Sequence, residues 1–258
     1  MSRIARILGA GLVTVTLVAN LVSQPSQAAP PPPGYPSATI ISVTMNPRLG
    51  IGIPLRRGFY DADQDAGFGW DKLWSKHNIW DSNAVKVLAA SPNATPNGSR
   101  YNLATWAGKL SCTPQCRVTA QVQLTLGVAP YYQKSYTYTS RLTGKAVVVP
   151  IATNNTLYGV VTGYCVGTVR CPKWVTYSLT NPGKVNPYRV PVGSVAGGST
   201  APASTTASSA EETTMAEVSL GNEAYVYSYE PFPTTVSPEA VARSLTTGDA
   251  LSEVLGDE

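Results

Sequence analysis

One histidine, His77, stands in 258 residues, and that scarcity closes several chemistries at once. No second imidazole can share proton transfer with it or join it on a zinc ion. No G-x-S-x-G elbow, phosphate-cradling glycine loop or dinucleotide fingerprint occurs either, so the motif-bearing hydrolases, P-loop enzymes and nicotinamide enzymes are set aside. Acids are sparse where bases are plentiful: residues 29–195 hold five Asp plus Glu against 16 Lys plus Arg. Apolar runs are short. After Ile7–Val22 no segment approaches the roughly 20 apolar residues of a membrane helix, and no hydrophobic anchor or sorting segment closes the chain. No repeat of 20–50 residues is visible.

What is present begins with a secretory pattern in residues 1–28. Arg3 and Arg6 supply the basic start, and Ser26-Gln27-Ala28 supplies the small-residue cleavage pattern. The expected product is secreted and extracellular, with no transmembrane segment. Cys112, Cys116, Cys165 and Cys171 form an even set in an oxidising compartment, which reads as two disulfides. Three pairings are open, among them the local one that clips two turns. A zinc site is the competing use, although C-x3-C with C-x5-C is not a usual zinc spacing.

The net charge of +4 conceals an asymmetry. Residues 29–195 carry a net of +11, whereas residues 196–258 carry one Arg against ten acids, a net of −9. A basic domain with an acidic tail points to a polyanionic partner, with the tail able to dock on the basic part and mask it. Solubility alone is the plainer explanation.

Composition divides the chain into the leader peptide 1–28, a Pro-rich stretch 29–38, a basic domain 39–193, a Ser/Thr/Ala linker 194–214 and an acidic tail 215–258. Trp70, Leu73, Trp74 and His77 recur at helical spacing after Gly67 and Gly69, and Asn83–Ala90 reads as a second short helix. Five segments then read as strands: Arg117–Leu126, Ser135–Ser140, Ala146–Ile151, Leu157–Val166 and Lys173–Leu179. The expected fold is α+β, with short helices first and an antiparallel sheet of about five strands after. In the tail, Ala216–Leu220 and Glu223–Tyr229 flank the turn Gly221-Asn222, and Ser237-Pro238-Glu239 caps a helix.

His77 closes the first helix. It is either a core-edge ring bonded to a backbone carbonyl or, with its near-neutral pKa, the best general base or acid in the chain. The pattern Gly67, Gly69, Lys72, Lys76, His77, followed by short strands and the polar segment Trp174–Ser178, resembles small bacterial toxin ribonucleases of barnase-like or colicin-like fold. That resemblance implies metal-independent RNA cleavage with no cofactor, in which a histidine closing the first helix meets polar residues of the late strands. His77 would be the base, Tyr177 a proton donor, and Lys72 and Arg141 stabilisers of phosphate charge. Lys76, Lys134, Tyr136 and Tyr138 would hold the polymer, the tyrosines by stacking. Paired cysteines and a leader peptide of its own set this chain apart from those toxins.

Two further readings stand beside the ribonuclease. Asp61, Asp63 and Asp65 alternate as in calcium loops, but Ala66 replaces the needed glycine and Lys72 the closing glutamate. The same basic, tyrosine-bearing surface also suits a non-catalytic protein that binds RNA or an anionic envelope or extracellular polymer, with His77 structural.

Overall fold

The computed structural model describes residues 31–32, 34–151, 155–180 and 223–256. The expected leader peptide, the expected linker at 194–214 and the first arm of the expected tail hairpin lie outside them. Four short strands come first: β1 (Ile40–Asn46), β2 (Ile51–Arg56), β3 (Phe59–Asp61) and β4 (Ala66–Phe68). Helices α1 (Gly69–Ser75) and α2 (Ser82–Ala90) follow, then β5 (Ala94–Asn97), β6 (Arg100–Cys112) and β7 (Cys116–Ala129). Next come β8 (Ser135–Thr139), β9 (Ala146–Pro150), β10 (Gly159–Cys165) and α3 (Lys173–Thr180). The described part ends with β11 (Glu223–Ser228), β12 (Thr235–Val236), α4 (Pro238–Thr247) and α5 (Leu251–Gly256).

The expectation of an α+β chain with helices first and one five-stranded sheet is overturned. Strand makes up 42% of the described residues and helix 22%, in sheets of two to six strands. Strands β3 and β4 have three residues each, too few to show a period. In β1 the alternation is inverted: Ile41, Val43 and Met45 are exposed while Ser42 and Thr44 are half-buried. Lys173–Leu179, rich in β-branched and aromatic residues, is the helix α3 and not a strand. Val175 through Leu179 are all buried there, and the Ser178 and Thr180 hydroxyls donate to the carbonyls four residues back at 2.9 and 3.1 Å. Burial on every side overrides propensity, and the back-bonds satisfy hydroxyls that would otherwise lie unpaired.

The main sheet is antiparallel in the order β10-β7-β6-β11, with β5 added to β6 and β12 to β7. The long β6–β7 hairpin is tied at its tip by the disulfide Cys112–Cys116, and Cys165–Cys171 closes the loop after β10. The local pairing is therefore the one formed. Leu73, Ile79 and Leu88 pack with Leu103, Leu124 and Leu126 in the largest core cluster. A second cluster joins Leu110 of β6 to Val226, Phe232, Val241, Leu251 and Val254. Phe232 lies so close over Gly108 that a β-carbon there would meet its ring at 2.4 Å. The third cluster, Phe59, Phe68, Val149, Ile151 and Tyr158, fills the space between β3, β4, β9 and β10. Among the described residues no helix is long and apolar enough to cross a membrane.

Candidate functional site

Leu73 points into the core and fixes the orientation of α1. Asn78 ends the helix in the left-handed conformation, at φ 59°, a geometry its short polar side chain tolerates better than most. The amides of Asn78 and Ile79 then close on the carbonyls of Trp74 and Leu73. This turn delivers His77 to the β10 edge of the sheet. The ring is 6% exposed, and its Nδ1–H donates to the Val169 carbonyl at 3.0 Å. Nε2 is left with its lone pair, 3.4 Å from the Thr162 hydroxyl, and the Tyr164 ring lies 6.1 Å away. The disulfide-closed loop grips this turn twice more: the Cys171 N–H donates to the His77 carbonyl at 2.9 Å, and the Asn78 amide to the Cys171 carbonyl at 2.8 Å.

Burial pushes the His77 pKa below its ordinary 6.5; the Val169 hydrogen bond opposes this and the charges of Lys76 and Lys72 add to it. The ring is neutral at pH 7 in the folded chain and easier to protonate in the unfolded one. Its contribution to stability is thus present above the unfolded value near 6.5 and is lost as pH falls through the folded value. The melting temperature is expected to fall as pH drops below about 6.5, and His77→Asn, which keeps a donor for Val169, to flatten that fall. Equal slopes in the two proteins would assign the acid sensitivity to other groups.

Next to His77, the Lys76 ammonium grips both oxygens of Asp65, at 2.5 and 2.6 Å. Lys72 lies half-buried, donating to the Gly67 carbonyl at 3.3 Å. Burial lowers its pKa, and the positive charges of Lys76 and Arg100 add to that while Asp65 opposes it. Arg170 reaches across to the Ser75 carbonyl at 2.9 Å. Lys76, His77, Tyr164, Gly167, Thr168 and Val169 line an open cavity of about 320 Å³. Lys72, Lys76 and Arg170 thus set cations beside α1, and among the described residues Asp65 is the carboxylate paired with them.

The remaining expected site residues lie elsewhere. Tyr177 is buried on α3 against Tyr225, 5.8 Å ring to ring, at the β11 edge and not at β10. Because its segment is helical, the late polar strand implied by the ribonuclease resemblance is absent at that place. Arg141 is exposed in the β8–β9 turn, where its amide donates to the Gln64 side chain at 2.5 Å. Lys134 is exposed just before β8. Tyr136 and Tyr138 turn their rings onto Phe59, at 5.6 and 5.8 Å. Tyr136 accepts from the Gly67 amide at 3.2 Å, while Tyr138 donates to Asp61 at 3.2 Å. Burial, then the charge of Asp61 and its hydrogen bond, pushes the Tyr138 pKa up to about 12. Asp61 also accepts from the Gln64 amide at 3.1 Å while Asp65 faces Lys76, and among the described residues no three metal-ligating side chains converge. Glu223 of the acidic tail pairs with Lys109 at 3.4 Å, where β11 meets β6, the opposite edge from His77.

Sequence reasoning missed Arg100, Thr162, Tyr164 and Arg170. The accessible signal was the second cysteine pair, whose short basic loop ends beside His77 once the local pairing is accepted. No family model, curated protein or solved structure matches the chain.

Proposed function

We propose that the chain is an extracellular protein that holds an anionic polymer at the cation cluster beside α1. The observation that carries this reading is Lys72, a half-buried ammonium set close to two further cations, with Asp65 the one carboxylate among the described residues that offsets them. Such a cluster is under-neutralised, and a phosphate or carboxylate chain supplies the missing charge. Two disulfides and the secretory pattern of residues 1–28 support the location. The test is fluorescence anisotropy with labelled single-stranded RNA and with polyphosphate across a salt series. The variant Lys72→Gln/Lys76→Gln/Arg100→Gln is expected to bind about tenfold or more weakly, with a shallower dependence of log K on log salt. Binding absent in the parent, or unchanged in the variant, overturns the reading.

Catalysis is a second reading, favoured by one observation: the Val169 carbonyl holds the proton on His77 Nδ1, which leaves Nε2 basic, and His77 lines a cavity together with Lys76. In that reading His77 takes the proton of the RNA 2′-hydroxyl as that oxygen bonds to phosphorus, Lys76 offsets the phosphate charge, and the P–O5′ bond breaks with the departing 5′-oxygen taking its proton from water. Tyr177 and Arg141 have no part in it. Incubating the protein with RNA in EDTA, beside His77→Asn, decides the matter: cleavage lost in the folded variant supports it, and intact RNA with both proteins removes it.

A further inference from the structure

On the other flank of α1 from the cation cluster lies a second cavity of about 320 Å³, lined by Pro32, Tyr35, Arg57, Tyr60, Asp71 and Trp74 among others. Its composition differs in kind from that of the cation cluster. Trp74 is 56% exposed, although it is among the largest apolar side chains the chain has to bury. Asp71 lies one helical turn before it, on the same side of α1. The Tyr35 hydroxyl donates to the Asp71 carboxylate, and Arg57 Nε donates to the Tyr35 oxygen at 3.1 Å while standing 4.0 Å from Asp71. The Arg57 guanidinium also lies over the Tyr35 ring, 5.1 Å from its centre. Tyr60 lines the same space, and its hydroxyl donates to Asp65 at 3.3 Å.

We propose that this cavity is a saccharide site, taking a neutral sugar ring on the Trp74 face with its hydroxyls on Asp71 and Arg57. Three features lead there. The two ionised groups cancel, so the site does not select for net charge. Both keep hydrogen-bonding capacity beyond their mutual contacts: a carboxylate accepts several bonds and a guanidinium carries five donors, a pairing that matches adjacent hydroxyls on a ring. A broad exposed indole beside a small set of convergent polar groups suits a ligand with one apolar face and a polar rim, and the volume admits one or two sugar units. A quaternary ammonium ligand would use the same aromatic rings, but Arg57 already occupies the cation position over Tyr35. Burial raises the Asp71 pKa, with the Tyr35 bond and the Arg57 charge holding it back, in line with a carboxylate partly withdrawn from water.

The test uses the whole chain in calorimetric titrations with cellotriose, maltotriose and tri-N-acetylchitotriose. Titrations are run at about 1 M NaCl, where the Debye length is about 3 Å and attraction of polyanions to the cation cluster is suppressed. At least one oligosaccharide is expected to bind with Kd around 1 mM. Trp74→Ala and Asp71→Asn, each with a parental melting curve, are expected to weaken it about tenfold or more, while Lys72→Gln/Lys76→Gln/Arg100→Gln leaves it unchanged. Silence with all three sugars, or equal binding by Trp74→Ala, overturns the proposal. So does a saturating response to choline chloride alone, which would make the cavity a cation cage.

Discussion

Replacing Arg56 by methionine is expected to lower the melting temperature by roughly 8–16 °C, one of the largest losses available from a single side chain. Arg56 is 1% exposed at the end of β2, and among the described residues no carboxylate is its hydrogen-bonding partner. Its guanidinium instead donates to the Ala38 carbonyl at 2.8 Å, the Thr156 hydroxyl at 2.6 Å, the Leu157 carbonyl at 2.9 Å and the Tyr158 carbonyl at 3.3 Å. It thereby sews the segment before β1 to the segment before β10. Burial lowers its pKa, yet a guanidinium keeps its proton, so the charge stays and the four oxygens solvate it. Methionine fills the stem but takes the guanidinium donor from the Ala38, Leu157 and Tyr158 carbonyls. Each buried group stranded in this way costs about 1–3 kcal/mol, and a net of about 4 kcal/mol is reasonable after relaxation. At about 2–4 °C per kcal/mol for a chain of this size, the stated range follows. Circular dichroism melts at pH 7 measure it. A shift under about 3 °C would mean that water solvates the orphaned carbonyls as well as the arginine does.

Arg56 also shows where legibility in the sequence stops. Arg56 and Arg57 are neighbours of one type, but successive side chains leave opposite sides of an extended backbone. One becomes the pin of the fold, and the other stands in solvent over Tyr35. Nothing local distinguishes them, because the difference comes from Thr156–Tyr158, about 100 residues later. Where local signals sufficed, the reading was close. The α1 pattern, the Asp81-capped α2, the β7 and β10 strands and the Ser237 cap of α4 follow from spacing and capping chemistry that a short window contains. Strand β6 escaped because its buried positions include Thr105, Ala107 and Gly108, which give little hydrophobic contrast. Helix α3 was misread because its environment, and not its composition, decides its form.

The site divides in the same way. His77, Lys72 and Lys76 were visible because they lie within one short helix and the turn that follows it. The residues that give His77 its character, Val169 and Thr162, are 92 and 85 positions away and reach it through the carbonyl of a disulfide-closed loop and a hydroxyl of β10. Trp74 was grouped with the inward face by its spacing, yet it is Leu73 that is fully buried and Trp74 that projects. Helical periodicity defines a face but not its edges, and Trp74 sits at such an edge, where the chain before β1 leaves an opening.

A chain ending at residue 222 is expected not to fold, an outcome that composition alone would not suggest for the loss of a segment carrying seven acids against one Arg. Strand β11 pairs with β6 along six residues, from Glu223↔Ser111 to Ser228↔Trp106. Its two sides face different layers: Tyr225 meets Tyr177 of α3, while Ala224 and Val226 join the cluster built with α4 and α5. Removing the segment strips β6 of a partner and uncovers Leu110 and Gly108. It also discards Val226, Phe232, Val236, Val241, Leu251 and Val254, each at most 6% exposed. At about 1.5–3 kcal/mol for each such side chain the loss is roughly 9–18 kcal/mol, as large as the entire stability of an ordinary domain. The acids do not contradict this, because Glu239 lies in the first turn of α4, where a negative charge suits the helix dipole, and Glu253 accepts from the Ala250 amide at 3.1 Å. The truncated chain should be recovered as aggregate or as a species that binds an apolar dye and melts without a cooperative transition. A soluble monomer with the parental melting temperature would instead make residues 223–256 an appendage, and the basic part a domain in its own right.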